Sequence, residues 1–190
     1  LSNLLIKDFL HLSSYYLPYE YIDLQTMMSH RVGKKYSEKF DVNGCEVELK
    51  NAGHIPGSSQ VIVESEGKRV LYTGDFNTIA TRLLHPADRS YENLDAFVVE
   101  ATYADENHSP RSEIEEQFVS QATEIVANGG SVLVPAFGVG RSQEVLSVLA
   151  AHNFQYPVFI DGMAIDTINI LLNHLDSLRD GDEFRKAVKR

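Results

Sequence analysis

Along the first twelve positions the apolar residues Leu4, Leu5, Phe9 and Leu12 recur every three to four residues. That is the spacing of a helix with one buried stripe, and Ser2 stands where an N-cap would. The tyrosine-rich stretch from Tyr15 to Tyr21, with Pro18 inside it, reads as a packed connector, base stacking being the other use of such rings. From Met27 to Lys39 no period dominates, and Arg31, Lys34, Lys35 and Lys39 read as a solvated face. The pattern then changes to strands. Asp41-Val42-Asn43-Gly44 turns into a strand over 45–50, and two β-branched runs over 60–64 and 69–72 flank Gly67, predicting a hairpin. After the loop Leu84-His85-Pro86-Ala87-Asp88, the run Ala96-Phe97-Val98-Val99 predicts a buried strand ending in Glu100, a carboxylate that needs a partner or a metal there.

Ser109-Pro110 opens a helix with Ile114, Phe118, Ala122 and Ile125 on one face, stopped by Gly129-Gly130. A strand over 131–135, a loop over 136–140, a helix over 141–152 and a strand over 157–161 follow, a unit that implies a parallel sheet with a right-handed crossover. Ile165, Ile168, Leu171, Leu172 and Leu175 keep core-facing helical spacing, and the charged end from Arg179 to Arg190 reads as a frayed element. The fold class is α/β, in two parts: a strand-rich part over 1–103 and an α/β part over 104–190.

At 190 residues, 43% hydrophobic and 23% charged, the composition is that of a globular protein. No apolar run approaches the ~18 residues that span a bilayer. The single cysteine, Cys45, excludes an internal disulfide framework, fits a reducing compartment and reads as a packed strand residue. The expected location is cytoplasmic, or nuclear if the source is eukaryotic. A net charge of -10 argues against nucleic-acid binding through surface charge alone. That objection weakens where bound cations supply the positive charge of a site.

The hairpin has a chemical consequence. His54, within Ala52-Gly53-His54-Ile55-Pro56-Gly57-Ser58, precedes the first strand, and Asp75, within Tyr72-Thr73-Gly74-Asp75-Phe76, follows the second. If the strands pair, imidazole and carboxylate emerge at one end of the sheet, and a divalent cation such as zinc could be held by both. A lone histidine beside glycine and proline is most often a turn residue. The coincidence of residue type, strand-end placement and glycine at both positions carries the metal reading. Further along, Phe137-Gly138-Val139-Gly140-Arg141-Ser142 lies between a strand and a helix, so backbone N–H groups and Arg141 could face an anion. Equally, the glycines could serve close packing while Arg141 pairs with Glu144 or Glu100. The three-glycine dinucleotide fingerprint is incomplete here.

Four motifs, the His54 and Asp75 segments, Glu100-Ala101-Thr102-Tyr103 and Val134-Pro135-Ala136-Phe137-Gly138-Val139-Gly140-Arg141-Ser142-Gln143-Glu144, together closely resemble the β-CASP branch of the metallo-β-lactamase-fold nucleases. They stand in that family's order and cover the chain to about Asp161. The resemblance implies a partial metallo-β-lactamase αββα sandwich over 1–103, followed by the start of a β-CASP parallel α/β domain over 104–190. It implies zinc-dependent hydrolysis of RNA phosphodiester bonds, of the mRNA 3'-end-processing type, by a longer parent protein. His54 is then a zinc ligand, and Asp75 the catalytic carboxylate bridging two zinc ions. Glu100 orients a general-acid histidine from a later segment, Tyr103 and His108 lie near the substrate channel, and Arg141 is a further candidate for binding substrate. RNA is the implied partner, with a homo-oligomer or processing-complex subunits beside it, and no membrane. The family's His-x-His-x-Asp-His signature is absent and no histidine follows His174, so an internal piece that does not cleave by itself is expected. His11, His30, His85, His152 and His174 match no motif and read as surface or helix-terminus residues. A non-catalytic scaffold paralogue and a small-molecule metallo-hydrolase on the same fold are the rivals.

Overall fold

Two left-handed turns build the sheet. Asn43 (φ 52°) and Gly44 (φ 84°) join strand β1 (Lys39–Val42) to β2 (Cys45–Asn51), and Glu66 (φ 51°) and Gly67 (φ 71°) join β3 (Ser59–Ser65) to β4 (Lys68–Tyr72). Positive φ at both central residues matches the twist of the flanking strands, so two residues suffice for each turn. The computed structural model describes residues 1–13 and 17–190, and the sheet runs β1-β2-β3-β4-β5, with β5 (Ala96–Val98) parallel to β4 and all other pairs antiparallel. The predicted hairpin is present in the expected register end, Val61 opposite Tyr72. Ile62 and Leu71 face each other across it at 1% and 0% exposure, and Leu83, Leu84, Ala87 and Ala52 are buried as well.

The helices are α3 (Arg111–Ala127), α4 (Arg141–Ala151), α5 (Met163–Leu172) and α6 (Gly181–Lys189), with a single 3-10 turn at Leu175–Ser177. Val119 of α3 packs with Val148 and Leu149 of α4, flanked by Phe118, Val145 and Phe154. These elements and the sheet belong to one compact unit, Tyr36–Arg190. Leu1–Lys35 is a second unit, in which α1 (Ser2–Leu12) packs on α2 (Tyr21–Ser29). Ser2 is the first helical residue and Leu1 the N-cap, so Ser2 does not cap. No residue of α1 is fully buried, and Phe9 and Leu12 are exposed, contrary to the core-facing expectation. The tyrosine-rich connector falls partly on residues 14–16, which lie outside the described residues.

Four expectations need correction. The 96–99 run forms a strand, but Phe97, Val98 and Val99 are half exposed, because β5 is an edge strand bonded to β4 alone. Among the described residues, 131–135 and 157–161 form no ladder, and Leu133 and Phe159 stand in solvent. An apolar run makes a strand only when a neighbour accepts its backbone groups, so the parallel sheet expected there is not formed. Of the expected α3 stripe, Ala122 is buried and Phe118 packs on the core, but Ile114 and Ile125 are exposed, and the buried line of the helix runs through Glu115, Val119 and Ala122. Finally, 179–190 is not frayed: Asp180 caps α6 by accepting the Glu183 N–H, and Phe184 and Ala187 are buried.

Candidate metal and active site

The loop between β2 and β3 is shaped by its own polar side chains. The Ser58 hydroxyl oxygen accepts the N–H groups of His54 (3.1 Å) and Ile55 (3.2 Å), the Asn51 side-chain oxygen accepts that of Gly53, and the Ala52 N–H closes the loop onto the Ser58 carbonyl. Gly53 is left-handed (φ 66°), and backbone packs against it where a side chain would be. A Cβ there would lie 2.6 Å from the Ala87 nitrogen and 2.7 Å from the Asn77 oxygen. The segment after β4 is thereby fixed against the His54 loop, through Asn77 N–H to Ala52 O at 2.8 Å and Ala87 N–H to Asn77 O at 2.7 Å.

The result is convergence. His54 Nε2 lies 3.7 Å from Asp75 Oδ2, with the imidazole about one-third exposed and the carboxylate largely so. Two donors bound to one zinc at about 2.1 Å in tetrahedral geometry would stand about 3.4 Å apart, so type and spacing both fit a shared cation. In number they fall short, since among the described residues no three His, Cys, Asp or Glu side chains gather into a metal-holding group.

Glu100 lies two residues past the end of β5 and is tied to the segment before Asp75. Its N–H reaches the Thr73 hydroxyl, and Thr73 in turn donates its N–H to Val98 O, tying the Asp75 segment to the β5 edge. The Thr102 N–H (2.9 Å) and hydroxyl hold the Glu100 carboxyl below the ordinary glutamate range; partial desolvation opposes them, and the Phe76 N–H and the nearby His54 ring add to the lowering. The Glu100 carboxylate is thus held by its own turn and by the segment that carries Asp75. Tyr103 and His108 pair with each other edge to face, ring centroids 4.7 Å apart, both exposed.

Arg141 stands apart from this group. It is the first residue of α4, at the rim of a groove lined by Arg111, Ile114, Phe118, Val145 and Val148, and its side chain is exposed. It pairs with neither Glu100 nor Glu144. Glu144 is 6% exposed and is taken by Arg111 and by the backbone N–H groups of Arg82 (2.8 Å) and Leu83 (2.7 Å). Glu115, equally buried, holds Arg82 (2.8 Å), Arg111 (2.9 Å) and His152 (3.3 Å). His152 thus occupies the helix-terminus position expected of it. The glycine loop itself is stapled by fully buried Gln143, whose oxygen accepts the Gly140 N–H and whose amide donates to Gly138 O and Ala164 O. Gly140 (φ 84°) packs on Ile55, where a Cβ would meet Ile55 Cγ2 at 3.0 Å. Pattern reading missed the roles of Glu115 and Glu144, although a signal existed: each carboxylate falls on the apolar stripe of its own helix, beside Val119 and Ala122 or Val148.

No family model matches the chain. It is 42% identical to RNase aCSPSF2 of Saccharolobus solfataricus over 184 residues, which are 96% of this chain and 37% of that protein. To the probable RNase MJ4 of Methanocaldococcus jannaschii it is 35% identical over 91% of the chain and 41% of the relative. To cleavage and polyadenylation specificity factor subunit 3 of Dictyostelium discoideum it is 37% identical over 60% of the chain and 15% of the relative. The chain spans less than half the length of each of these curated relatives. With such identity along nearly its whole length to ribonucleases, and with the four motifs in sequence, the chain belongs to the β-CASP family of metallo-β-lactamase-fold nucleases.

Proposed function

We propose that this chain forms part of the active site of a zinc-dependent enzyme that hydrolyses RNA phosphodiester bonds, in RNA processing of the mRNA 3'-end type. The observation that carries this reading is the 3.7 Å approach of His54 Nε2 to Asp75 Oδ2 at one end of the sheet. The ribonuclease names of the relatives support the substrate class, and the name of the Dictyostelium relative supports the 3'-end setting. His54 and Asp75 would hold the metal. Zinc bound there would supply a Lewis acid and a water of lowered pKa at a centre whose positive charge offsets a chain of net charge -10.

The chain's own residues take the remaining roles. Glu100, kept ionised by Thr102 and Phe76, would accept a hydrogen bond from a histidine outside residues 1–190 and hold it as general acid. Tyr103 and His108 offer exposed ring faces and edges to bases, and Arg141 an unpaired guanidinium to phosphate. In this reading 1–103 is part of a metallo-β-lactamase domain and 104–190 the start of a β-CASP domain. The partners are RNA and either a second copy or processing-complex subunits, in the cytoplasm or, in a eukaryote, the nucleus. Two donors are too few for catalysis, so residues 1–190 alone are predicted not to cleave.

The test is cleavage of an end-labelled single-stranded RNA by the intact protein. Asp75→Ala should abolish it, and Glu100→Gln should slow it by about 10–100-fold with metal content unchanged. Full activity in Asp75→Ala would rule the assignment out.

A further inference from the structure

We infer that Glu144 is a positioning residue that, through α4, sets the separation of the His54 and Asp75 loops; this rests on the metal-site reading above. Three observations lead there. The buried Glu144 carboxylate accepts two consecutive backbone N–H groups, from Arg82 and Leu83, sixty-odd residues earlier in the chain. Those residues belong to the segment that leaves β4 through Asp75 and returns over Gly53, where the Asn77 N–H donates to Ala52 O and the Ala87 N–H to Asn77 O. One turn before Glu144, Gly140 of the same helix rests on Ile55, the neighbour of His54.

A single rigid helix therefore touches both ligand-bearing loops, one through a close glycine contact and the other through a two-pronged carboxylate. Arg179 holds the opposite edge of the second loop, donating its N–H to Leu83 O (2.9 Å) and its guanidinium to Thr81 O (2.7 Å). Glu144 is the anchor on the N–H side. Its remaining partner, Arg111, also binds Glu115 and so locks α3 to the same point. Metal affinity depends on how closely two donors are held at the required separation, and supporting residues of this kind typically change it by about 10–100-fold.

Glu115 supplies the control. It is as buried as Glu144 and lies in the same ion-pair network, but its carboxylate meets side chains only: Arg82, Arg111 and His152. The experiment measures zinc affinity of the intact protein by competition with a chelating dye, far below the melting temperature, for wild type, Glu144→Gln, Glu115→Gln and Asp75→Ala. Glutamine keeps one acceptor oxygen and the side-chain volume, and thermal melts confirm that each variant is folded. The expected result is a loss of about tenfold or more in Glu144→Gln and less than about twofold in Glu115→Gln. Equal losses in the two, or none in Glu144→Gln while Asp75→Ala loses binding, would overturn the positioning role. Unchanged affinity in Asp75→Ala would instead overturn the metal-site reading on which it rests.

Discussion

Gly53 is where sequence and site meet most tightly, because its missing side chain is what lets the segment after Asp75 lie against the His54 loop. A methyl group there would sit 2.6 Å from the Ala87 nitrogen on a backbone already at φ 66°. Backbone cannot give way as a flexible side chain can, so Gly53→Ala should cost about 1–3 kcal/mol of stability, measured by denaturant unfolding. It should also weaken zinc binding, since the same clash pushes the two loops apart; wild-type stability would contradict the packing described. Gly140 matters for a related reason, its close contact with Ile55. The positions of His54 and Asp75 were legible in the sequence because hairpin geometry alone brings strand ends together. The clash at Gly53 was not, because Ala87 and Asn77 are distant in sequence and only the folded loop places them there.

At the scale of elements, short-range signals were reliable where the pairing partner was also local. The β3–β4 turn at Gly67, the start of α4 after Gly140 and the core spacing of Ile168 and Leu171 in α5 all depend on neighbours a few residues away, although Ile165, expected on the same core face, is exposed. The strands expected over 131–135 and 157–161 depend on partners that composition cannot identify, and no ladder forms there among the described residues. The error at 179–190 was the reverse: many charges hid an amphipathic helix whose Phe184 is only 2% exposed. Asp180 at its N-cap, Asp182 and Glu183 in its first turn and Lys186 and Lys189 in its last suit the helix dipole, a charge order that could have identified it. Phe184→Ala should therefore destabilise the protein by about 3–5 kcal/mol in urea unfolding. A change under about 1 kcal/mol would mean that the helix end does not contribute to the core.

Across the Tyr36–Arg190 unit, Glu144 ties the backbone of the loop after the sheet to α4, and Arg82, Arg111, Glu115 and His152 form a network of side-chain ion pairs around it. Burial pushes the Glu115 carboxyl up, but hydrogen bonds from Arg82 and His152 and the charges of Arg82 and Arg111 outweigh it and hold it below the ordinary 4.5. A lowered folded-state pKa stabilises fully above the unfolded value and is lost as the pH falls through the folded one. Unfolding free energy should accordingly be flat in this contribution near neutrality and fall below about pH 4.5, with a shallower fall in Glu115→Gln. Identical acid profiles for the two proteins would show that the network does not couple protonation to folding.

The whole account turns on whether His54 and Asp75 bind the same ion. The most direct measurement is an anomalous difference map at the zinc absorption edge from crystals of the intact, zinc-loaded protein. A peak within bonding distance of both His54 Nε2 and Asp75 Oδ2 is the predicted result, lost in Asp75→Ala. A zinc-loaded protein with its only peaks elsewhere would contradict the assignment and leave the convergence of the two side chains as an ordinary surface contact.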